Sequence, residues 1–183
     1  MSDEAADTLW VAFLRGMNLG GRRLSNGELQ VAAERCGCRD VRPFQASGNL
    51  VVVDERPEEA VLTAMQEGLE ATLGYPVPVH LRGADEVRAI AAATPFSQAE
   101  TAASSGKPQV IFLRATPSPD TVGAIETLIP DNDLVVPAGR QIHWLPAQGL
   151  ADNGLDLRRL DALTGGTTVR THGTVQRLAS KFL

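Results

Sequence analysis

Val41-Arg42-Pro43-Phe44-Gln45-Ala46-Ser47-Gly48-Asn49-Leu50-Val51-Val52-Val53 decides the fold. Two short β-prone runs, Val41 to Gln45 and Leu50 to Val53, flank Ala46-Ser47-Gly48-Asn49. Gly beside Asn suits the left-handed backbone of a hairpin turn. Such a hairpin lies at the centre of a βαββαβ unit when a helical pattern stands on each side, and both patterns are present. Upstream, Ser25 and Glu28 form a capping box. Leu29, Ala32, Ala33 and Cys36 follow at helical spacing, and Gly37 stops the run. Downstream, Pro57 opens a second helix with Val61, Leu62, Met65, Leu69 and Leu73 inward and Gly74 at its end. Further out, Thr8 to Leu14 reads as a buried strand by length and apolarity. Val77 to Leu81 reads as a fourth strand, which Pro78 assigns to a sheet edge. The order β-α-β-β-α-β is the ferredoxin-like plan.

The plan then repeats. A helix from about Asp85 to Ala93 leads into a Ser-, Ala- and Gly-rich loop from Thr94 to Lys107. Gln109 to Arg114 is a strand. Ser118 and Pro119 cap a helix with Val122, Ile125 and Ile129 inward, and Pro130 ends it. Leu134 to Val136 and Gln141 to Leu145 flank the turn Ala138-Gly139. Leu155 to Leu163 is helical, Gly165-Gly166 breaks it, and Thr167 to Arg170 is a short strand. Thr174 to Phe182 is an extra helix with Val175, Leu178, Ala179 and Phe182 on one face. The expected fold is therefore α+β, with tandem ferredoxin-like α/β plaits, antiparallel sheets and an extra C-terminal helix. Residues 1–83 form the first plait. Residues 84–183 hold a connecting helix, the second plait and the last helix.

Composition narrows the function classes. Of 183 residues, 43% are apolar and only 4% aromatic, so Val, Leu, Ile and Ala must fill most of the core. The longest apolar runs, such as Leu9 to Leu14, are too short to span a bilayer. Met1 to Thr8 is acidic and polar, without the basic and apolar regions of a secretory signal, so a cytoplasmic location and no membrane partner are expected. The net charge of −5 argues against bulk nucleic-acid binding. Two local exceptions exist: Leu14 to Leu24 carries three arginines and no acid, and Arg158 to Leu183 carries five basic residues against Asp161 alone. Cys36 and Cys38 are too close for a disulfide framework, and His80, His143 and His172 have no ligand spacing, so neither zinc nor any other metal is expected. No cofactor is implied. Ser105-Gly106-Lys107-Pro108 lacks the upstream glycine of a P-loop.

In a βαββαβ sheet the spatial strand order is 4-1-3-2. The loop after the first strand and the turn after the second then emerge at the same end. Arg15, Asn18, Gly20 and Gly21 should thus meet Ser47, Gly48 and Asn49. Glycines allow close backbone approach, and successive N–H groups make an anion-binding nest. Arg15 would add a bidentate contact that Asn18, Ser47 and Asn49 orient. The same residues also suit a purely structural turn, with Arg15 paired to an acid. Arg170, His172 and Thr174 form a candidate second cluster.

Leu14-Arg15-Gly16-Met17-Asn18-Leu19-Gly20-Gly21 and Gln45-Ala46-Ser47-Gly48-Asn49-Leu50 together resemble the bacterial family catalogued as domain of unknown function 1697. Arg170 to Leu178, with Thr174-Val175 inside it, is similar to that family's C-terminal signature. The resemblance implies tandem α/β plaits and no established activity. Two departures stand out. Thr171-His172-Gly173 replaces an Asn-Trp-Asn stretch, and Ala151-Asp152-Asn153-Gly154-Leu155 replaces Gly-Arg-Ser-Lys-Leu. The second removes Ser and Lys from any anion site on that loop.

Three readings of function follow. The first is a regulatory or ligand-binding protein that takes a small anionic ligand, a nucleotide or phosphate, at the first loop. The second is an enzyme using the same loop pocket, assisted by Arg15 or His172. The third is a protein-interaction module that pairs a sheet face with another subunit. The sequence leaves the oligomeric state open.

Overall fold

A computed structural model of the protein describes residues 7–17, 24–45, 48–148 and 155–183. Two compact units divide the chain: Met1–Arg88 with Phe182–Leu183, and Ala89–Lys181.

The first unit holds β1 (Thr8–Leu14), α1 (Asn26–Arg35), β2 (Arg39–Pro43), β3 (Asn49–Asp54), α2 (Glu58–Leu73) and β4 (Val79–Gly83). The sheet order is β2-β3-β1-β4 and every pairing is antiparallel. This is the order expected of the plan. Trp10, Ala12 and Leu14 of β1 alternate onto one face and join Leu50, Val52, Val79 and Leu81. Leu29, Ala32 and Ala33 of α1, and Val61, Met65 and Leu69 of α2, close over them. The Ser25 hydroxyl accepts from Glu28 N, and the Glu28 carboxylate accepts from Ser25 N at 2.8 Å, so both ends of the capping box are in place. Where α1 ends, a Cβ on Gly68 of α2 would stand 2.5 Å from Cys36 Sγ, so position 68 must lack a side chain.

The second unit holds the last four residues of α3 (Ala84–Ala92) and most of α7 (His172–Phe182). Between them come α4 (Gln98–Ala103), β5 (Gln109–Leu113), α5 (Pro119–Glu126), β6 (Leu134–Ala138), β7 (Gln141–Leu145), α6 (Leu157–Thr164) and β8 (Thr167–Thr171). Its order, β6-β7-β5-β8, repeats that of the first sheet. Ile111, Leu113, Ile142 and Trp144 pack with Ile125 and Leu160. Trp144 Nε1 donates to Asp133 Oδ2 at 2.8 Å, while Asp133 Oδ1 accepts from Ala147 N, so the indole is core.

Two differences from the sequence reading have local causes. β4 begins at Val79 rather than Val77, because Pro76 and Pro78 lack N–H groups and pairing with β1 starts at Leu14↔Val79. The stretch from Thr94 to Lys107 is not all loop. Ser97 and Glu100 form a second capping box and start α4, a six-residue helix with no buried residue and hence no apolar stripe to announce it. Among the described residues no helix is long and apolar enough to cross a membrane.

Candidate functional site

The C-terminal end of β1 meets the start of β3 through one short contact. Leu14 N donates to Gly48 O at 2.7 Å. One residue on, Arg15 N donates to Pro78 O at 3.0 Å, tying the same exit to the segment that enters β4. Gly48 has φ 72°, and a Cβ there would lie 2.6 Å from Met17 Cγ and 3.1 Å from Leu14 Cβ. Only glycine fits both the backbone angle and the space. Met17 is buried with the first core, so the chain leaving β1 folds down against this turn.

Arg15 is half-buried at this end and Asn49 is fully buried. Asn49 Nδ2 donates to Phe44 O at 3.0 Å, and Phe44 N donates to Asn49 O at 2.9 Å. The asparagine side chain thereby closes the β2–β3 turn. Asn18, Gly20, Gly21 and Ser47 lie outside the described residues. Beside this end a cavity of about 600 Å³ runs along α1 and the end of α2, bounded by Leu24, Glu28, Val31, Arg35, Leu73 and Tyr75.

At the opposite end of the first sheet, where Asp54 pairs with Thr8, the two cysteines sit in a buried polar knot. Cys36 Sγ donates to Ala32 O at 3.1 Å. The Asp54 carboxylate, also buried, accepts from Arg56 Nε and Arg56 N at 2.9 Å each, and from Arg56 Nη2 at 2.5 Å. The guanidinium reaches across to Cys36 O at 3.1 Å, linking the end of α1 to the start of α2. The hydrogen bond from Arg56 holds the Asp54 carboxyl below its ordinary range. Burial, with the Asp54 charge beside it, pushes the Cys38 thiol up to about 12; burial also raises Cys36. Both thiols are free, and neither has nucleophilic character. Among the described residues no group of three or more His, Cys, Asp or Glu side chains could hold a metal ion.

Arg170, His172 and Thr174 have separate local partners. Arg170 Nη1 donates to Thr168 Oγ1 at 2.9 Å and Val169 O at 2.8 Å, and burial brings its pKa down to about 10. Thr174 N donates to Thr171 Oγ1, and the two hydroxyls lie 2.8 Å apart, so these threonines start α7. His172 Nε2 is 2.9 Å from Ile90 O. Its ring stands edge-on to that of His143, with centroids 6.1 Å apart. His143 is a residue the sequence reading set aside as scattered. Trp144 beside it faces the core, so strand alternation already sent His143 to the opposite face. Pairing it with His172 needs the three-strand path β7-β5-β8, which no spacing reveals.

Two antiparallel four-stranded sheets of repeated order, with helices between their strands, make this an α+β chain of tandem ferredoxin-like plaits. The chain belongs to the family of proteins of unknown function DUF1697, whose model matches residues 8–143. No curated protein matches it. In structure it is similar to a conserved bacterial protein, SP0830 from Streptococcus pneumoniae. The TM-score is 0.71 at 15% identity, covering 96% of this chain and 98% of the other. That likeness concerns the fold.

Proposed function

We propose that this protein binds a small anionic ligand, a nucleotide or phosphate, at the end of its first sheet and acts as a regulatory or ligand-binding protein. The Leu14 N–H to Gly48 O bond of 2.7 Å carries the reading. It draws the arginine-bearing exit of β1 onto a glycine turn, where the core alone asks for no polar residue. The capped start of α1 follows the same exit, and helix N-termini favour anions. A guanidinium would grip the ligand's oxygens in bidentate fashion. The protein is expected to act in the cytoplasm, where its free thiols suit a reducing medium. The net charge of −5 gives no reason to invoke nucleic acid.

A thermal-shift screen against nucleoside phosphates, inorganic phosphate and simple carboxylates tests this, because a ligand that binds only the native state raises the melting temperature. Arg15→Ala should then weaken the best binder by about tenfold or more, the value of one charge-assisted contact. Its melting temperature without ligand should stay close to that of the parent. A screen without a hit, or an Arg15→Ala protein that binds equally well, removes the proposal. A fall of several degrees in the ligand-free melt would show that Arg15 is structural.

A further inference from the structure

The second unit carries a pocket that the first-sheet reading does not use. It is small, about 160 Å³, against roughly 300–1,000 Å³ for drug-sized ligand sites. Its floor is His143, which is only 4% exposed. Its walls are Pro95, Phe96, Pro108 and the ring of His172, and its rim includes the exposed Gln176. The His143 ring makes no hydrogen bond to any described residue, although the residue is more than nine-tenths buried. Its ring nitrogens are not among the fully buried polar atoms without a partner, so water or a ligand in the pocket can reach them.

The remaining donors define the chemistry. Gln176 Nε2 donates one hydrogen to Ala91 O at 3.2 Å. The amide keeps a second N–H. Ile90 O can only accept, so His172 carries a proton on Nε2, and Nδ1 becomes a donor only when the ring is charged. Among the described residues no carboxylate lines the pocket. A spare amide N–H, two imidazoles and, among the described lining residues, no acid suit an oxyanion. Phe96 and the prolines suit a short apolar or flat body attached to it.

We propose that the pocket floored by His143 binds a small organic carboxylate, up to about the size of a single aromatic ring, with uptake of a proton by His143. The site is independent of Arg15 and lies wholly within the second unit. Burial, and then His172, hold His143 neutral when the pocket has no anion. A bound carboxylate supplies the opposite charge that favours imidazolium. Among the described residues of β5, β7 and β8 the other ionisable group on this face is Arg170, which shares Val110 with His143 as cross-strand neighbour.

The test titrates the full chain with sodium benzoate and sodium butyrate while following the histidine Cε1–H resonances by NMR. His143 and His172 should shift saturably, with His80, in the other unit, as the unmoved control. Affinity should rise about tenfold between about pH 7.5 and about pH 6.5 if one proton is taken up. His143→Gln should abolish binding. Gln176→Glu alters an exposed residue, gives up the amide's bond to Ala91 O and places a like charge at the rim; at an unchanged melting temperature it should weaken binding about tenfold or more. The proposal is overturned if neither carboxylate moves the two resonances, if Gln176→Glu binds as the parent does, or if the response comes from phosphate or zinc alone.

Discussion

Met17 Cγ stands 2.6 Å from where a Cβ on Gly48 would lie, in a turn whose φ of 72° already disfavours any other residue. Gly48→Ala therefore meets both backbone strain and overpacking, and should cost about 2–4 kcal/mol in denaturant unfolding. Trimming Met17 to Ala in the same chain should recover only the overpacking part. Full recovery would show that the backbone angle carries no strain.

Asp54 and Arg56 offer a second test. Removing the guanidinium leaves a buried carboxylate with its main partner gone, while Arg56 itself is partly exposed and screened. Arg56→Ala should cost about 1–3 kcal/mol at neutral pH. The Asp54 carboxyl is held below its usual pKa of 3.8. The stability this pair supplies is thus present above that value and is lost as pH falls through the lower folded one. Unfolding midpoints of parent and variant should converge in that acid window, and parallel curves down to it would contradict the pairing.

The thiols make a chemical prediction. With Cys38 pushed up to about 12 and Cys36 also raised, the native protein holds almost no thiolate near neutrality. Iodoacetamide at about pH 8 should leave both cysteines unmodified until urea unfolds the chain, when both should react. Mass spectrometry counts the adducts, and rapid labelling of the native protein would refute the burial argument.

His143 should impose an acid sensitivity. Its folded pKa lies below its ordinary 6.5, because burial, and then His172, disfavour the charged ring. Below that value the unfolded chain binds protons more readily than the folded one, so stability is full above it and declines as pH falls toward the folded pKa. His143→Gln should flatten the curve of unfolding free energy as pH falls below about 6.5. An unchanged slope would place the sensitivity elsewhere.

Much of the fold was legible because its signals are local. The glycine turn at Gly48, the Ser25 and Glu28 box and the stop at Gly74 each act within a few residues, and each sets an element boundary. The short helix from Gln98 carried the same capping signal as α1, but without buried residues it offered no periodicity to confirm it. Asp156 likewise caps α6 by accepting from Arg158 N and Arg159 N, one residue past where the apolar pattern begins at Leu155. At the candidate site the meeting of β1 with the Gly48 turn followed from strand order alone. The fate of Asn49 did not, because whether an amide serves a ligand or its own turn depends on an atom five residues away. The His143 pocket was illegible for a related reason, since its walls come from segments 80 residues apart that only the folded sheet brings together.

The contact between Cys36 and Gly68 has a consequence for the history of this chain. With 2.5 Å between the sulfur and a Cβ at 68, the two positions share one small volume. Evolution must treat them as a single choice. A mutation enlarging residue 68 is admissible only on a background where residue 36 has already shrunk, so the order of substitutions matters as much as their identity.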